Sequence, residues 1–277
     1  MRREEIYLVD LWHVFRREWL WMLAALVLAG AAAWTFTHTA KRQWEASAWI
    51  QIGQVGVTPQ GQDPKIEPLQ RVLERLQMAS FQNDVLASLK IPLNSPEAGL
   101  YRKSVKLEPL PYAGPMVKVN FRAYSPDEAR QLAEATVAWL HAVHAPLQAH
   151  AMTWAQQRVR QVDDDLRAAR AERAQLASAA TDRVSAGVST VVLSTRNEEI
   201  RVLEALRSDL EGKLGSAYTF ETSLAWPVYV PEHPVFPNVV LSWGMALLLG
   251  LALGACLMSA RDAMRRRRLA ALSVAMR

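Results

Sequence analysis

Cysteine is nearly missing: the 277 residues hold one, Cys256. A disulfide within the chain is excluded, and so is a metal site built from cysteines. No GxxxxGKS/T or GxGxxG stretch occurs, so nothing points to an ATPase or a dinucleotide enzyme. Excess charge is missing from most of the chain. Residues 1–18 hold four Arg and four acids, and residues 19–258 hold 22 residues of each sign. The whole net charge of +5 lies in residues 259–277, with six Arg and one Asp. A nucleic-acid-binding domain carries its excess on a folded surface, so no nucleic-acid partner is expected. Global disorder is also excluded, because 51% of residues are hydrophobic and 21% charged.

Charge is wholly absent from two runs. Trp19 to Phe36 reads WLWMLAALVLAGAAAWTF, and Val239 to Met258 reads VVLSWGMALLLGLALGACLM. Each is long enough to cross a bilayer. Trp19, Trp21 and Trp34 lie near the ends of the first run, where amphipathic rings favour the membrane–water boundary. Arg16 and Arg17 precede it, and Arg261 and Arg265 to Arg268 follow the second. Such clusters stay cytoplasmic, so both chain ends read as cytoplasmic and the intervening residues as extracytoplasmic. A cleaved signal is one competing reading of 19–36, but eighteen patterned residues come before it. Buried core helices of a soluble protein are the other, against which stand the terminal Arg cluster and the complete lack of charge. Ile6, Val9, Trp12 and Phe15 form one apolar stripe, which predicts an amphipathic helix on the membrane surface or a continuation of the span.

Between the runs, Trp44 to Ile52 alternates apolar and polar residues and predicts a strand. Residues 53–64 read as a loop, and Ile66 to Leu89 as a helix ended by Pro92 and Pro96. Val105–Leu110 and Met116–Ala123 predict two strands joined by a turn. Ser125, Pro126 and Glu128 make the clearest helix start: a capping hydroxyl, a proline at the first helical position and a reciprocal carboxylate. A helical pattern then runs toward Ala179, with a kink or short break expected at Pro146. Its apolar seam is Leu147, Trp154, Val162, Ala169 and Leu176. Residues 178–190 read as a tip, and a second seam follows at Ile200, Leu203, Arg207, Leu210 and Leu214. The simplest geometry is a helical hairpin. Ala225–Val230 predicts a returning strand, and Pro231, Pro234 and Pro237 a stiff extended linker.

The expected fold is therefore an α+β membrane protein. Its parts are an amphipathic segment (1–18), a first span (19–36), a membrane-proximal α/β base (37–125) and a long helix with hairpin arm (126–224). A return strand and linker (225–238), a second span (239–258) and a basic tail (259–277) complete it. No catalytic constellation stands out. His141, His144 and His150 lack a carboxylate between them and read as a wet helix face rather than a metal site. Asp163, Asp164 and Asp165 point about 100° apart on a helix and do not converge as paired catalytic carboxylates. Asp163 with Arg167 and Arg160 with Asp164 read instead as i,i+4 pairs on a solvated or subunit-contacting face. Gly250 and Gly254 make a GxxxG spacing that lets a neighbouring transmembrane helix approach closely.

Four segments together resemble the polysaccharide co-polymerases, the Wzz-type chain length determinants. They are Tyr7–Trp12 with Arg16–Trp19, Trp44–Ala48, Ser125–Ala129, and Pro231–Pro237 leading into a glycine-containing span. Trp44 stands where the family usually has Tyr. The tails beyond the spans are too short for the fused tyrosine kinase of some relatives. The resemblance implies a non-enzymatic, cofactor-free regulator of O-antigen or lipopolysaccharide chain length in the bacterial inner membrane, with its main domain periplasmic. It implies a ring homo-oligomer of about eight subunits, acting with a Wzy-type polymerase on a lipid-linked glycan amid membrane lipids. A polysaccharide export component of the same superfamily is the alternative, and a two-span periplasmic sensor a more distant one.

Overall fold

The computed structural model describes residues 8–179 and 186–275. Its helices are α1 (Leu8–Thr39), α2 (Leu69–Gln77), α3 (Ala79–Ser88), α4 (Pro96–Ser104), α5 (Pro126–Ala179), α6 (Ala186–Leu214) and α7 (Val239–Ala275). Its strands are β1 (Trp44–Gln51), β2 (Lys106–Leu110), β3 (Met116–Ala123) and β4 (Ser223–Leu224). Two compact units result, one combining the stretch up to Gln43 with that from His233 onward, the other spanning Trp44–Glu232.

In the first unit α1 and α7 pack on each other. The stretches long and apolar enough to cross a membrane are Trp19–Thr39 and Val239–Arg261, each three residues longer than its charge-free run. The first can extend because its terminal threonines satisfy themselves. The hydroxyls of Thr35, Thr37 and Thr39 donate to the carbonyls of Ala31, Ala33 and Thr35 at 2.9, 2.9 and 2.7 Å. Residues 8–18 continue into the span as one helix, which favours continuation over a separate surface helix. Ile6, part of the stripe read there, lies outside the described residues. The approach to α7 is irregular rather than regularly extended: Gln43 N–H donates to Phe236 O (2.9 Å), and the Phe236–Pro237 peptide is cis. Asn238 then caps α7, its Oδ1 accepting from Leu241 N–H at 3.1 Å.

The second unit is built on an antiparallel sheet of order β2-β3-β1-β4. β1 and β3 pair over their whole length, from Trp44 opposite Ala123 to Gln51 opposite Met116. Alternation puts Ala46, Ala48 and Ile50 beside Val117, Val119 and Phe121 on one face, all fully buried. The first five turns of α5 cover that face with Ala129, Leu132, Ala133, Val137 and Leu140. Tyr101 of α4 stacks on Phe121 (5.5 Å between centroids), and its hydroxyl meets Thr136 Oγ1 at 3.0 Å. The capping box at α5 forms: Glu128 N–H donates to Ser125 Oγ at 3.1 Å. The returning carboxylate takes the N–H of Tyr124 at 3.2 Å.

Four expectations are corrected. The helix read over 66–89 is two helices. Met78 is extended between them, because the buried positions step by five from Leu76 to Phe81 and no single helix keeps both inward. Pro96 starts a helix instead of ending one: Ser95 Oγ accepts from Ala98 N–H at 3.1 Å, the same Ser-Pro-acid signal as at 125. Of the kink or short break expected at Pro146, the break is absent: the long helix is continuous from Pro126 to Ala179. The returning strand is only Ser223–Leu224, followed by a lone bridge between Ser47 and Tyr229. Of the tip read over 178–190, residues 186–190 belong to α6, and 180–185 lie outside the described residues.

Candidate interaction surfaces

Gly250 and Gly254 lie on the face of α7 turned to α1 of the same chain. A methyl on Gly250 would come within 3.0 Å of Leu26 Cδ2 and 3.2 Å of Ala29 Cβ. One on Gly254 would come within 2.9 Å of Met22 Cγ and 3.1 Å of Met22 Cα. The spacing therefore serves close packing inside this helical pair. Arg261 lies over the Trp21 ring at 4.5 Å, a cation–π contact at one end of the pair.

The hairpin of α5 and α6 has its own small core: Val55, Val57, Ala155, Val162 and Leu210, flanked by Leu203, Leu206 and Leu214. Leu166 and Ala169 are buried too, whereas the expected seam residue Leu147 is exposed. Ion pairs line the edges. Asp163 Oδ1 meets Arg207 Nε at 2.7 Å, Arg170 meets Glu204 at 2.6 Å, and Glu172 meets Arg196 at 2.5 Å. The partners run in reverse order, as an antiparallel hairpin requires. The i,i+4 pairs read from the sequence are not the ones formed. Asp163 turns to Arg207 across the hairpin, and Asp164 pairs with Arg167 at i+3 (2.8 Å). Arg160 Nε donates to the Gln156 carbonyl at 3.4 Å. Arg160, Asp164 and Arg167 remain on the exposed side, while Asp163 is spent within the chain.

A third feature escaped the sequence reading. His144 is fully buried, not a wet helix position. Its Nε2 lies 3.0 Å from Glu67 Oε2 and its Nδ1 2.6 Å from Thr222 Oγ1. Gly53 N–H donates to that same hydroxyl oxygen at 2.8 Å. Arg75 closes on Glu67 with two bonds, Nη2 to Oε1 at 2.8 Å and Nε to Oε2 at 3.0 Å. Burial pushes His144 down, the charges of Arg75 and His141 add to this, and the Glu67 bond only partly offsets them. Burial also pushes Glu67 up, but the Arg75 and His144 bonds outweigh it and hold the carboxyl below its ordinary value. Neighbouring His141 is half-exposed and meets Glu221 at 3.0 Å. His150 is exposed and lines a crevice of about 350 Å³ with Trp154 and Asp63. Among the described residues, no three or more His, Cys, Asp or Glu side chains cluster as metal ligands. No local signal distinguishes His144 from His141; only the fold selects between them.

No curated protein matches the chain. Among solved structures, it is similar to a full-length bacterial polysaccharide co-polymerase at 17% identity and a TM-score of 0.42, covering 94% of this chain and 99% of that one. It is also similar to a fragment of WzzB, a polysaccharide co-polymerase from Salmonella Typhimurium, at 13% identity and a TM-score of 0.28, covering 70% and 100%. The family model described as chain length determinant protein Wzz matches residues 4–94. That stretch includes α1 and β1, and with them two of the four segments that carry the resemblance. Over residues 4–94 the chain is similar to the Wzz family.

Proposed function

We propose that the protein is a non-catalytic regulator of surface polysaccharide chain length. In this reading it is a ring-forming inner-membrane scaffold that acts with a Wzy-type polymerase on a lipid-linked glycan. The observation that carries it is the Wzz match over residues 4–94, on a chain whose second membrane-length apolar helix lies beyond the match. The Arg cluster after the second apolar helix supports cytoplasmic ends with the residues between the spans in the periplasm. The hairpin of α5 and α6 would then line up with its neighbours in the ring. Its exposed charges Arg160, Asp164 and Arg167 would meet adjacent subunits.

Deleting the gene and running the surface glycan on a gel tests the proposal. Polymer still made, but without its clustered length distribution, is the expected result. Loss of all surface polymer would overturn it in favour of an export component.

A further inference from the structure

The relay around His144 sits where two apolar clusters of the second unit meet. The sheet core ends on α5 at Leu140, and the hairpin core begins at Ala151. Between them the chain places a run of hydrogen bonds instead of carbon. That run joins four segments far apart in sequence: the turn after β1 (Gly53), the approach to α2 (Glu67), α5 (His144), and the return before β4 (Thr222). A second rung beside it ties Gly56 N–H to Thr219 Oγ1 at 3.0 Å, and Gln54 and Phe220 exchange backbone bonds at 2.9 and 3.0 Å.

The donors in this run can point only one way. The Glu67 carboxylate accepts from Arg75, so it accepts from His144 as well, and Nε2 carries the ring proton. A neutral ring then has a bare Nδ1, which accepts from the Thr222 hydroxyl. The hydroxyl oxygen in turn accepts from Gly53 N–H. Each of these groups is satisfied, and His144 and Thr222 are buried to within 1%. A second proton on the ring breaks the order. Nδ1–H would face Thr222 Oγ1 at 2.6 Å, and the hydroxyl hydrogen would lose its acceptor in a site closed to water. The ring would become a buried cation close to half-buried Arg75, and Glu67 already answers Arg75 with two bonds. The other ionisable groups facing the site are His141 on α5, itself a cation at low pH, and Glu221 on the return, which is engaged by His141.

We propose that the Gly53–Thr222–His144–Glu67 relay is an acid-labile latch, which holds the returning segment 219–224 and the 53–57 turn on α5 and releases both when His144 takes up a proton. Release would free the returning segment and the 53–57 turn from α5 at the boundary of the two cores. The latch is a property of this fold and does not depend on the function proposed above.

The test is hydrogen–deuterium exchange on the full-length protein in detergent, read at peptides covering 53–57 and 219–224. Rates are corrected for the intrinsic effect of pH. Exchange at about pH 5.5 should be at least ~10-fold faster than at about pH 8 in these peptides, with the sheet peptide 117–121 unchanged. In His144→Gln, which cannot gain charge, the acid response should vanish. In His141→Gln it should persist. Wild-type protection that does not change with pH overturns the latch, and that measurement needs no variant to fold. An acid response that survives in His144→Gln but vanishes in His141→Gln overturns it too.

Discussion

At the residue scale, identity matters most where no atom is spare. Gly254 meets the backbone of Met22, not merely a movable side-chain tip, so added carbon cannot be absorbed by a rotamer change. Gly254→Leu should destabilise the detergent-solubilised chain by about 1–3 kcal/mol, read as a lower denaturation midpoint. Gly244 has nothing within 4 Å of where a methyl would stand, so Gly244→Leu should leave the midpoint in place. Equal losses in both would mean that close approach is not what Gly254 provides. Ser125 carries a smaller, local role. Replacing it with Ala removes the acceptor for Glu128 N–H and should cost about 1 kcal/mol.

At the element scale, the α5–α6 hairpin separates charges that hold the hairpin from charges left over. Asp163 and Arg207 are partly exposed, at 30% and 44%, so solvent screens the pair. A double-mutant cycle through Asp163→Ala and Arg207→Ala should return a coupling of about 0.2–1 kcal/mol. Asp164 and Arg167 are exposed at 66% and 74% and bond each other. Asp164→Lys should therefore change stability by less than about 0.5 kcal/mol. Under the proposed function it should nevertheless shift the glycan length distribution on a gel, because the altered face is the one offered to a neighbouring subunit. A set of such variants with intact assemblies and unaltered lengths would count against lateral contact through this face.

At the scale of the whole molecule, acid should weaken the protein in two stages. His144 is held below its ordinary value of 6.5, so below that pH the unfolded chain binds the proton more readily than the native one. Stability is full above 6.5 and falls as pH drops toward the depressed native value. Glu67 is held below its ordinary 4.5, so its contribution is present above 4.5 and is lost as pH falls through its native value. Both act in the same direction. Melting curves of the full-length protein should shift down first below about pH 6.5 and again below about pH 4.5. His144→Gln should remove the first shift and keep the second.

Whatever acts over one turn or one uninterrupted run can be read from the residues alone. Two charge-free stretches, the capping box at Ser125 and the alternation of Trp44 to Ile52 were legible because hydropathy and capping are local physics. Ser95-Pro96-Glu97 is an equally local signal but an ambiguous one, since a proline that stops one helix also suits the first position of the next. Which of several chemically equal groups meet is set by the fold. Asp163 could bond Arg167 or Arg207, and antiparallel packing of α5 on α6 brings Arg207 within 2.7 Å. His141 and His144 lie one turn apart in the same helix, yet only His144 faces Glu67 and Thr222, residues 77 and 78 positions away. Such choices depend on distances that chain closure sets, and no periodicity within a helix encodes them.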